Sequence, residues 1–176
     1  MPISSPPPNS RIFRRFLGVM TAFCAFAVVP SAGVAAQARP ETPVMVPRHI
    51  YSEAANPQAD INAALAQARR DHKRVLLDFG GDWCGDCQVL EIYFREPVNA
   101  ALLGRHYVLV HVWIGQMDHN IQLAARYGVP IAKGVPALAV LSADGKAIYS
   151  QQTGQFNDMR HMDSSSVTAF LNKWKG

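Results

Sequence analysis

Two of the three cysteines of this 176-residue chain, Cys84 and Cys87, are separated only by Gly85 and Asp86. Two thiols at that spacing can close on one another, so the pair can exchange two electrons with another disulfide. One thiolate attacks a substrate sulfur, and the second resolves the mixed disulfide that forms. A structural disulfide framework would use more cysteines at wider spacings. A zinc site would need two further cysteine or histidine ligands at compatible spacing. The third cysteine, Cys24, lies in an apolar N-terminal run and is expected to leave with it. The C-x-x-C pair therefore has to be explained by itself.

What such a pair does depends on where it sits. Arg74 to Phe79 is a short apolar run, bounded by charged residues and by Gly80-Gly81, and it predicts a buried strand. From Cys84 the periodicity turns helical through Val89, Leu90, Ile92, Tyr93 and Phe94, stopping before Pro97, with a further turn or two over 98–103. Cys84 would then stand at a strand–helix junction, beside the unpaired N–H groups and partial positive charge of a helix N-terminus. That field favours a thiolate, so Cys84 is expected to be the exposed, acidic nucleophile and Cys87 the resolving thiol.

The remaining elements must build a sheet around this junction. Residues 39–56 are proline-rich and read as an extended arm; Asn56-Pro57 starts a helix that runs to residues 71–73. Strands follow over 107–114, 137–141 and 147–151, the last two joined by a hairpin at Asp144-Gly145, with a helical stretch over 118–127. Residues 155–163 read as a polar loop, and Ser164–Ser166 cap a final helix bearing Val167, Phe170, Leu171 and Trp174. An early parallel crossover and a late antiparallel hairpin require a mixed sheet. The prediction is one α/β domain over 57–176, with helices on both faces of a mixed central sheet.

The motif surroundings resemble the thioredoxin superfamily. Leu77-Asp78-Phe79 followed by Trp83-Cys84-Gly85-Asp86-Cys87 is similar to the thioredoxin active-site stretch. A second block, Tyr127-Gly128-Val129 then Gly134-Val135-Pro136, an apolar strand and Asp144-Gly145, matches as well. The likeness covers about residues 59–174. The lead-in Lys73-Arg74-Val75-Leu76-Leu77-Asp78-Phe79 and the Glu96-Pro97-Val98 segment point to exported thioredoxin-like proteins and the C-terminal domain of DsbD. The resemblance implies a thioredoxin-like fold in which Asp78 is the buried proton acceptor for Cys87. Burial favours the protonated form of a carboxylate, and a buried Asp without a task is costly; the alternative is a strand-end Asp reaching water. It also implies that Pro136 is cis and faces the cysteines, leaving the Val135 backbone to pair with an extended substrate. Trp83 would be an exposed aromatic beside the site or an ordinary core residue.

Three features depart from the family pattern. Asp86 takes a position where many thioredoxins have proline, and its charge beside the thiolate would favour a reducing protein. His111 falls where thioredoxins bury a lysine near the aspartate, so it either tunes Asp78 or is a satisfied core histidine. Residues 130–133 lengthen the loop before Pro136.

The N-terminus has the three parts of a secretory signal: basic residues to Arg15, an apolar run from Phe16 to Val29, and small residues allowing cleavage near 36–38. Export to the periplasm is expected. Without the three arginines of this leader the net charge falls from +4 to +1, which removes the basic face a nucleic-acid binder would need. The expected partners are protein disulfides and a membrane or exported thiol reductant, acting on a monomer with no cofactor beyond the cysteine pair and no metal. Two alternatives remain open at this point. One is copper delivery by Cys84, Cys87 and a histidine, with Met159, His161 and Met162 as further candidates or merely solvated loop residues. The other is a non-catalytic binding module of the same fold.

Overall fold

The structure, a computed structural model, describes residues 48–176; the proposed leader and the start of the arm lie outside the described residues. Asn56 caps α1 (Pro57–Asp71) by accepting a hydrogen bond from the Ala59 amide at 3.1 Å, with Pro57 at the first helical position. The chain leaves α1 through left-handed His72 into β1 (Arg74–Gly80), whose residues from Val75 onward are all buried. Such a continuous apolar run belongs to a strand covered on both sides. α2 (Gly85–Arg95) ends at Glu96, and Pro97 opens α3 (Pro97–His106), which is longer than the one or two turns expected.

β2 (Tyr107–Trp113) returns parallel to β1, with Asp78 in register with His111. The expected helix over 118–127 shrinks to α4 (Ile121–Arg126), because turns beginning at Gly115 occupy the preceding residues. β3 (Ala137–Leu141) pairs antiparallel with β1, and β4 (Ala147–Ser150) with β3. The order β2-β1-β3-β4 is the mixed sheet the sequence predicts.

Alternation along β1 divides the core. Val75, Leu77 and Phe79 pack with Ile61, Ala64 and Ala68 of α1 and with Leu123 and Ala124 of α4. Leu76 faces the other way, toward Leu90 and Phe94 of α2 and Val167, Phe170 and Leu171 of α5 (Ser164–Trp174). The polar loop predicted over 155–163 does expose its polar residues, but it is pinned to the core at two points. Phe156 and Met159 are almost fully buried in the second cluster, and a 3-10 turn spans Met159–His161. Met159 is therefore core, which withdraws it from the candidate copper ligands. Among the described residues, no helix is long and apolar enough to cross a membrane.

Candidate active site

Cys84 is the N-cap residue of α2: its Sγ accepts a hydrogen bond from the Cys87 amide at 3.1 Å, so the sulfur takes one of the orphan donors of the first helical turn. Cys84 and Cys87 are joined as a disulfide, with Cα atoms 5.2 Å apart. Cys87 is fully buried, and Cys84, expected to be exposed, retains only 6% exposure. Part of that cover comes from the cis-proline segment. The Val135–Pro136 peptide is cis, and the Val135 carbonyl oxygen lies 3.6 Å from Cys84 Sγ. Trp83 is 46% exposed beside the pair, with its indole N–H donating to the Gly115 carbonyl at 2.7 Å.

A buried polar chain lies behind the disulfide. Asp78 Oδ2 accepts from the Tyr51 hydroxyl at 2.7 Å and from His111 Nδ1 at 2.9 Å, while Asp78 Oδ1 is buried with no hydrogen-bond partner. His111 Nε2 lies 3.8 Å from Glu91 of α2, which is in turn paired with Arg95. Burial works to lower the His111 pKa. The hydrogen bond and charge of Asp78, helped by Glu91, outweigh it and raise the pKa from its ordinary value. Burial and the neighbouring Asp78 push the Tyr51 phenol well above its ordinary value, so it remains a protonated donor.

Three residues of this site carry no sequence signal. Tyr51 comes from the arm, which Asp82 holds by accepting from the Ile50 and Tyr51 amides at 2.8 and 3.1 Å. Gly80 makes room for it: a methyl there would stand 2.5 Å from the Tyr51 hydroxyl and 2.9 Å from Cys87 Sγ. Gln151, just beyond β4, stitches the cis-proline segment, donating to the Pro136 carbonyl and accepting from the Leu138 amide, both at 3.2 Å. Arg160 donates to Asp86 from its backbone amide (3.0 Å), Nε (3.1 Å) and Nη2 (3.1 Å). Asp86, whose charge beside the cysteines the sequence shows, is thus paired with Arg160. Among the described residues, no group of three or more His, Cys, Asp or Glu is arranged to hold a metal ion.

A thioredoxin-like family model matches residues 56–143, which spans the active-site helix and the cis-proline. The chain belongs to the thioredoxin-like family. A solved disulphide isomerase from Xylella fastidiosa Temecula1 is 35% identical and superposes with a TM-score of 0.69, over 73% of this chain and 98% of that one. The thiol:disulfide interchange protein DsbD of Pseudomonas fluorescens is 30% identical over 119 residues, 66% of this chain and 18% of the relative. DsbD 2 of Pseudomonas aeruginosa is 30% identical over 114 residues, 64% of this chain and 19% of the relative. The chain thus matches only about a fifth of the length of these DsbD proteins. Fold and cysteine pair together give it the redox centre of a thiol–disulfide oxidoreductase.

Proposed function

We propose that this chain is an exported, periplasmic thiol–disulfide oxidoreductase that reduces or exchanges protein disulfides, with no cofactor beyond Cys84 and Cys87. The observation that carries the reading is the placement of Cys84 Sγ between the first turn of α2 and the Val135 carbonyl beside cis-Pro136. A sulfur there is stabilised as a thiolate by the helix end and lies next to a backbone segment that an extended peptide can pair with.

In the reducing direction, the Cys84 thiolate attacks one sulfur of a substrate disulfide and expels the other as a thiolate. Cys87 gives up its proton, with Asp78 as acceptor, and attacks Cys84 Sγ. The second substrate thiolate leaves, the Cys84–Cys87 bond closes, and two electrons have passed to the substrate. A membrane or exported thiol reductant then restores the dithiol. Trp83, Val135 and Pro136 form the substrate-facing rim. The 35% identity to a solved disulphide isomerase supports protein disulfides as the substrate class.

Reduction of insulin disulfides by the chain, recycled with dithiothreitol, tests this. Cys84→Ser is expected to abolish turnover, and Cys87→Ser to accumulate mixed disulfides with substrate. Full turnover by Cys84→Ser would overturn the proposal.

A further inference from the structure

Asp86 sits between the two cysteines in the first turn of α2, and its carboxylate is nearly buried. An uncompensated charge there would oppose a thiolate on Cys84 and would itself be costly to bury. All its side-chain hydrogen bonds come from one residue 74 positions away, through the backbone amide, Nε and Nη2 of Arg160. Arg160 is not a loose surface side chain at its base. The turn that carries it is anchored by fully buried Met159 and by Phe156, and the Tyr93 hydroxyl of α2 donates to the Met162 carbonyl at 2.9 Å. The Arg160 side chain also lies alongside Gly85: a Cβ built on that glycine would be 3.7 Å from Arg160 Cδ. The neighbouring charges are Asp158, which acts on Arg160, and His161, which is paired with Asp158.

Resting on the reading of Cys84 as the attacking thiolate, we infer that Arg160 is a positioning residue for the redox reaction: it neutralises Asp86 and keeps that carboxylate from opposing the Cys84 thiolate. The turn over 159–161 is in this view part of the active site. Its contribution is electrostatic, from an exposed guanidinium on a backbone that Met159 and Phe156 fix to the core.

Arg160→Gln tests the inference cleanly, because the backbone amide of residue 160 still binds Asp86 Oδ1 and leaves the carboxylate in place with its charge uncompensated. The reduced protein is titrated by thiolate absorbance. The thiolate fraction of Cys84 at neutral pH is expected to fall by about two- to five-fold, the range for losing a solvent-exposed countercharge such as the Arg160 guanidinium. The initial rate of alkylation by iodoacetamide should fall with it. Asp86→Asn/Arg160→Gln should return both to within about two-fold of the parent, and Arg160→Lys should restore part of the loss. An unchanged thiolate fraction in Arg160→Gln overturns the inference, as does a double variant no better than the single one. A purely structural role would lower the unfolding midpoint without moving the titration. If the parent itself fails to reduce insulin, the functional reading falls, while the titration still decides the role of Arg160.

Discussion

At the scale of single residues, the site is held by buried hydrogen bonds whose loss leaves a partner stranded. Gln151 is the clearest instance. It satisfies both the Pro136 carbonyl and the Leu138 amide on either side of Ala137, and it is itself almost fully buried. Gln151→Ala would leave an amide and a carbonyl unpaired in the core. The expected cost is about 2–3 kcal/mol in urea unfolding, since a stranded buried group forfeits its full desolvation energy. A change below about 0.5 kcal/mol would mean that these groups find other partners. Tyr51→Phe removes one of the two donors to Asp78 Oδ2, and His111 remains as the other. Its expected cost is smaller, about 1–2 kcal/mol by the same measurement.

The elements explain how much of this was legible beforehand. β1 announces itself as an unbroken apolar run, α1 by its Asn-Pro cap, and the cysteine pair by its place between strand and helix. Asp78 was legible because a carboxylate interrupts that apolar run. Tyr51 and Arg160 were not legible, because their segments look polar or irregular and their partners are far away in sequence. The segment 155–163 misleads because two buried residues, Phe156 and Met159, anchor a stretch otherwise made of Gln, Asn, Asp, Arg and His with one further Met. A short irregular segment has no period from which to infer a buried face. This anchoring can be tested. Met159→Ala should cost about 2–4 kcal/mol, as for other fully buried large-to-small changes. It should also weaken the hold of Arg160 on Asp86, read as faster amide exchange at Arg160. A cost below about 1 kcal/mol would show that the turn is not pinned through its methionine.

On the scale of the whole molecule, one network joins elements that are otherwise separate in sequence: Tyr51 of the arm, Asp78 of β1, His111 of β2, and Glu91 with Arg95 of α2. His111 is the member of this network whose pKa is raised from the ordinary histidine value, and that shift makes global stability depend on pH. The folded protein binds this proton more tightly than the unfolded chain does. The stabilisation is therefore fully present below the unfolded value of about 6.5 and is lost as pH rises through the raised folded value. His111→Asn removes the proton-binding group while keeping a side chain able to donate to Asp78. The gap in unfolding midpoint between the parent and His111→Asn, measured on the oxidised forms, should be widest below about pH 6.5. It should narrow as pH rises beyond that point. A gap that widens with rising pH would show that His111 is held neutral in the fold, with burial prevailing over the Asp78 and Glu91 carboxylates.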